Sequence, residues 1–173
     1  IKRRERRLNP TATNLSSCIS RMAEGSDNLI RFDIQMIDHG VSTQWWKKIM
    51  RHFARAGDSF EIRCWREETS EIKQASLHGV SAADSYEASI KGVVTDGLLK
   101  EWLTEEPADK TIYNKMTKYF TIHVENDLCN LWSEHYGTEM AIVVTAEKER
   151  VFLEQVMGQY PEAFSVGIVD EAG

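Results

Sequence analysis

The sequence predicts an α+β fold, a layered sandwich built around a mixed sheet, on three observations. Several stretches alternate apolar and polar residues with period two, as strands with one buried face do. Ile30, Phe32, Ile34 and Met36 alternate with Arg31, Asp33 and Gln35, and Phe120, Ile122 and Val124 alternate with Thr121, His123 and Glu125. Residues 140–144 are apolar throughout, the pattern of a strand covered on both faces. Between such stretches stand windows whose apolar residues lie three and four apart, the helical period. One-faced strands, a covered strand and interleaved helices call for layers packed about a shared core.

Taken in order, residues 1–26 read as a basic arm and a short helix, ahead of a single α+β domain over residues 27–173. Thr13 or Asn14 caps that first helix, Leu15, Ile19 and Met22 mark its buried side, and Gly25 stops it. A half-buried strand follows over residues 29–37. Ser42 or Thr43 then caps a helix with Trp46, Ile49, Met50 and Phe53 inward and Lys47, Lys48, Arg51 and Arg55 outward. Phe60, Ile62 and Cys64 define a second strand, and residues 71–78 are expected to pair with it as a hairpin. Tyr86, Ala88 and Ile90 lead another strand toward Val94, after which Thr95 or Asp96 caps a helix carrying Leu98, Leu99, Trp102 and Leu103, ended by Pro107. One or two helical turns are expected over residues 109–117. Residues 118–144 read as strand, helix, strand: Asn126 and Asp127 cap, Leu128, Leu131, Trp132 and His135 follow at helical spacing, and Gly137 stops. Thr145 caps a last helix with Phe152 and Val156 inward, and residues 164–169 form the final strand. Residues 29–125 have the order of a ferredoxin-like unit with an added hairpin strand, extended by the later strand and helix units.

At 173 residues the chain suits one domain with a sizeable core. Its 42% hydrophobic and 28% charged residues are those of an ordinary soluble globular protein. No apolar run approaches a bilayer span and no secretory signal core opens the chain, so a cytoplasmic protein without membrane contact is expected. The chain opens on Ile1 rather than Met, which leaves room for sequence upstream. Cys18, Cys64 and Cys129 are odd in number and form no Cys-x-x-Cys pair, which argues against a disulfide framework and a thiolate zinc site. Lys2, Arg3, Arg4, Arg6 and Arg7 stand against Glu5, so the rest of the chain is more acidic than the net charge of −6. An acidic body disfavours nucleic acid, leaving the arm as the segment suited to touch it, and like-charge runs of this kind are usually solvated tails.

If the inward registers hold, the opposite face of the early strands presents Arg31, Asp33, Gln35, Glu61, Arg63, Trp65, Glu67, Glu87, Lys91, Thr121, His123 and Glu125. A tryptophan amid mixed charges has the makeup of a docking anchor and its rim, and the same charges also suit a solvated face of cross-strand ion pairs. Asp38 and His39 at one strand end and His123 with Glu125 at another would form a metal or acid–base site only if those ends converge; the plainer reading is exposed polar strand ends. Cys129 and His135 lie on different sides of their expected helix. No catalytic residue, metal or cofactor is expected.

Two runs resemble known families. Val124-Glu125-Asn126-Asp127-Leu128-Cys129-Asn130-Leu131-Trp132-Ser133-Glu134-His135-Tyr136-Gly137 resembles the late strand and helix of the acetyl-CoA-dependent N-acetyltransferase superfamily, where an Asn, a small residue and an aromatic-x-x-x-Gly ending recur. That resemblance implies an acyltransferase, with Trp132 where a tyrosine often stands and Thr95-Asp96-Gly97, without the usual glycines, in the place of the pyrophosphate loop. Residues 139–173, with Val166-Gly167-Ile168-Val169, resemble the closing strand, helix and strand of the ATP-dependent aminoimidazole ribonucleotide synthetase superfamily, which implies a shared supersecondary pattern. The residues themselves favour a non-enzymatic acidic interaction protein, of inhibitor or immunity-like type. It would dock a protein partner through Arg31, Asp33, Glu61, Arg63, Trp65, Glu67, Lys91, His123 and Glu125. The acetyl-CoA-dependent enzyme is the alternative.

Overall fold

A computed structural model describes residues 28–83, 86–108 and 114–172. The expected arm and first helix, and Cys18 with them, lie outside the described residues, as do residues 109–113; residues 114–117 form no helix. Strands are β1 (Asn28–Met36), β2 (Ser59–Trp65), β3 (Gly79–Ala83), β4 (Glu87–Val93), β5 (Thr121–Glu125), β6 (Cys129–Glu134), β7 (Glu139–Val144) and β8 (Phe164–Ala172). Helices are α1 (Gln44–Phe53), α2 (Thr69–Ala75), α3 (Asp96–Thr104) and α4 (Glu147–Gly158).

The strands make one sheet in the order β3-β4-β2-β5-β6-β7-β1-β8, and every neighbouring pair is antiparallel, not mixed as expected. The cause lies in the crossovers. Helix α1 carries the chain from β1 to β2 past β7, β6 and β5; α2 passes β4, α3 passes β2, and α4 passes β1. The two strands joined by each helix run the same way, but an opposed strand always lies between them. Strand β1 is therefore not a neighbour of β2, and the β-α-β-β-α-β order starts at β2 rather than at residue 29. The α+β class holds.

Alternate residues of the strands enter one buried cluster: Ile30, Phe32, Ile34 and Met36 of β1, Phe60, Ile62 and Cys64 of β2, Ile122 and Val124 of β5, Leu131 of β6, and Met140, Ile142 and Val144 of β7. They meet Trp45, Trp46, Ile49, Met50 and Phe53 of α1, Ala75 of α2, Leu98 and Trp102 of α3, and Leu153 and Val156 of α4. Because side chains alternate across a strand, this membership puts all four helices on one sheet face. Trp45 and Trp46 are completely buried, and truncating a core aromatic of this kind costs about 3–5 kcal/mol. Trp46 Nε1 donates to the buried Ser133 Oγ at 2.9 Å, so neither polar group is orphaned. Lys47, expected on the solvent side of α1, is buried and pairs with Glu106, which also accepts from Thr43 Oγ1 at 2.6 Å.

Three further expectations change. Residues 71–78, expected as a strand, are mostly helix α2, whose Ile72 and Ala75 turn one side to the core while Glu71, Lys73 and Gln74 are good helix formers. Residues 126–137 are not one α-helix but a turn, strand β6 and a single 3-10 turn at His135–Gly137. Asn126 Oδ1 accepts from the amides of Leu128 and Cys129 at 2.9 and 3.0 Å, and this side-chain turn opens the β5–β6 hairpin. Thr145 does not cap α4, whose N-cap is Ala146. Thr95, by contrast, caps α3 as expected, accepting from Leu98 N at 3.1 Å. Among the described residues no helix is long and apolar enough to cross a membrane.

Candidate functional site

The sheet face opposite the helices is built from the remaining strand residues, and its register fixes who stands beside whom. Lys91, Glu61, His123, Trp132, Ala141, Asp33 and Gly167 form one row across β4, β2, β5, β6, β7, β1 and β8. Ser89, Arg63 and Thr121 form the next row on one side, and Glu125, Asn130, Val143 and Arg31 the row on the other. Trp65 lies across from Glu87 at the end of β2.

Of the nine residues expected at the site, Glu61, Arg63, Lys91 and His123 adjoin one another, with Trp65 and Glu125 at the margins of the group. Arg31 and Asp33 pair with each other, Arg31 Nη2 to Asp33 Oδ1 at 2.9 Å, but β1 lies three strand spacings from β5, roughly 14 Å. Glu67 is a correction: β2 ends at Trp65, so Glu67 sits exposed in the following turn and belongs to no row. Asp38 and His39 do not meet His123 and Glu125 either. His123 is level with Asp33, and Asp38 lies farther along the chain beyond the end of β1. Among the described residues no cluster of three or more His, Cys, Asp or Glu is arranged to hold a metal ion.

Charge on this face is held in a shared network. Arg63 reaches both Glu61 Oε1 and the buried Glu87 Oε2 at 3.2 Å, Ser89 Oγ donates to Glu61 Oε1 at 2.6 Å, and Lys91 Nζ lies 3.9 Å from Glu61 Oε2. A buried carboxylate such as Glu87 persists only with a partner of this kind. Beside the network His123 stacks on Trp132, centroids 3.8 Å apart and planes 11° from parallel, and its Nε2 bonds Asn130 Oδ1 at 2.6 Å. Burial pushes the His123 imidazole below its usual range, against the opposing pull of Asn130 and the nearby Glu125 and Glu61. Burial likewise pushes the Glu134 carboxyl up.

At the β2 end, Trp65 packs on Phe120 with centroids 4.7 Å apart, and Phe120 meets the edges of His135 and Tyr136. Tyr136 donates its hydroxyl to Glu68 Oε1 at 2.6 Å and carries the Lys115 ammonium over its ring at 4.0 Å. Phe120, expected in the core, thus serves this face, because β5 starts only at Thr121.

Sequence reasoning missed Trp132, Asn130, Glu134 and Tyr136, since it put all four in a helix. The signal was there: Cys129, Leu131 and Ser133 alternate with Asn130, Trp132 and Glu134, and the first three are buried among the core residues. Cys64 and Cys129 lie on the helix side, and burial pushes their thiols up, Cys64 to about 12, so both pack as small apolar groups and neither faces the site. Two aromatic pairs thus stand among fixed ion pairs on this face. Compared with protein-family models, curated proteins and solved structures, the chain matches none.

Proposed function

We propose that the protein is a non-catalytic binding protein, of inhibitor or immunity-like type, that docks a protein partner on the sheet face opposite its helices. The observation that carries this reading is the placement of the Trp65–Phe120 and His123–Trp132 pairs on the same face as the Arg63–Glu61–Glu87 network. Half-buried aromatics pre-ordered by stacking lose little freedom on binding, and a charged rim confers register. Carboxylates outnumber cations here, with Asp33, Glu61, Glu87, Glu125, Glu134 and Glu139 against Arg31, Arg63 and Lys91, so the fitting partner presents a basic surface. We also read residues 59–125 as a ferredoxin-like unit of a layered sandwich: the chain order β2-α2-β3-β4-α3-β5 with sheet order β3-β4-β2-β5 supports it.

The test is capture from source-cell lysate on the immobilised chain, read by mass spectrometry, beside a Trp65→Ala/Lys91→Ala variant and a Trp132→Ala variant. Arg63 stays in place because its removal would take an ion-pair partner from the buried Glu87. Circular dichroism checks that the variants keep the fold. A stoichiometric basic partner held by the wild type and lost by both variants supports docking; capture that survives both substitutions overturns it. A saturable rise in melting temperature with acetyl-CoA would instead favour the acyltransferase implied by residues 124–137.

A further inference from the structure

The two edges of the sheet differ. Strand β3 is five residues long, whereas β8 has nine and no proline or lysine within it. Among the described residues no strand pairs with the outer side of β8, and Val166, Ile168 and Val169 are 38%, 39% and 49% exposed. A long edge with apolar side chains on both faces, whose two charges, Asp170 and Glu171, stand only at its C-terminal end, is a template for another strand. On the helix side a groove of about 300 Å³ lies beside it, lined in part by Phe32, Met157, Tyr160, Phe164, Val166 and Ile168.

We infer that β8 pairs with β8 of a second copy of this chain, antiparallel about a two-fold axis at Gly167, to give a closed dimer with one continuous sheet. The sequence of β8 is self-complementary in that register. Ile168 falls opposite Val166 of the other copy, twice, Val169 falls opposite Ser165, and Asp170 falls opposite Phe164, so no carboxylate faces a carboxylate. Residues opposite one another lie on the same face, so a two-fold axis perpendicular to the sheet leaves both sets of helices on one side and joins the two apolar grooves. Asp170 keeps its ion pair with Arg150 at 3.2 Å, which offsets that carboxylate beside the partner. Gly167 at the axis presents no side chain where the two copies approach most closely. This inference is independent of the docking face.

Sedimentation equilibrium tests the state, and a cysteine pair tests the register. The wild type is expected to be a dimer, and Ile168→Lys, an edge lysine at an already exposed position, is expected to weaken it about tenfold or more while circular dichroism is unchanged. In a Cys18→Ser background, Gly167→Cys is expected to cross-link to its own copy, since residues paired across antiparallel strands have Cα atoms about 4.5–5.5 Å apart, within disulfide range. A Cβ there meets only Asp33, at 3.9 Å, so the fold accepts the change. Val169→Cys, opposite Ser165 rather than itself, is expected not to cross-link. A monomer at high micromolar concentration, open-ended assemblies of the kind a β3–β8 contact would produce, or a dimer lost through Trp132→Ala and kept by Ile168→Lys would each overturn the inference.

Discussion

Gly137 links the two faces of the molecule. Its φ is +82°, a conformation in which glycine alone is unstrained, and a Cβ would meet Met116 Cβ at 2.7 Å and Trp46 Nε1 at 2.9 Å. The sharp reversal after β6 depends on it, with His135 and Tyr136 also at positive φ just before it. Gly137→Ala is expected to cost about 2–4 kcal/mol in a urea melt, from backbone strain and overpacking against Trp46 together. His123 makes a second residue-scale case. The unfolded chain protonates it near its ordinary value of 6.5, while burial holds the folded imidazole neutral to lower pH. Below about pH 6.5 the unfolded state thus binds more protons, so stability falls as pH drops from there toward the folded value and does not depend on this group above it. Melts at about pH 7.5 and 5.5 should show lower stability in acid, and His123→Gln should shrink that difference. A difference that His123→Gln leaves unchanged would remove His123 as its source.

Among the elements, α3 carries the clearest local signature, a threonine cap before an apolar helical period. Thr95→Ala is expected to cost about 1 kcal/mol by thermal melt, because Leu98 N loses its acceptor. The strands β1, β2 and β5 and the helices α1, α3 and α4 were legible because each carries one unbroken period. The β5–β6 hairpin was not, because asparagine bonding the amides two and three residues on has the same local chemistry at a helix start and at a tight turn. Leu128, Leu131, Trp132 and His135 satisfy a helical spacing while Cys129, Leu131 and Ser133 satisfy a strand spacing, and only the pairing partners β5 and β7 decide between them. The same error hid Trp132, the residue on which His123 stacks.

At the scale of the molecule, the site residues read from β2, β4 and β5 came together because one alternation governs all three strands and their register aligns. Arg31 and Asp33 share the parity but stand apart, since strand order is set by which crossover passes which strand, and no local pattern records that. Antiparallel direction was unreadable for the same reason: a helix between two strands implies that they run alike and does not tell whether another strand lies between them.

That interleaving bears on how the chain is made. Both partners of β1, namely β7 and β8, come from the far end of the sequence, with roughly a hundred residues between Met36 and Glu139. At a synthesis rate of about 5–20 residues per second, Ile30, Phe32 and Ile34 leave the ribosome about 5–20 s before β7 can cover their strand. Throughout that interval the nascent chain carries an unpaired apolar strand, so the step that finishes the sheet awaits the synthesis of β7 and β8 and exposes a binding segment for chaperones until then.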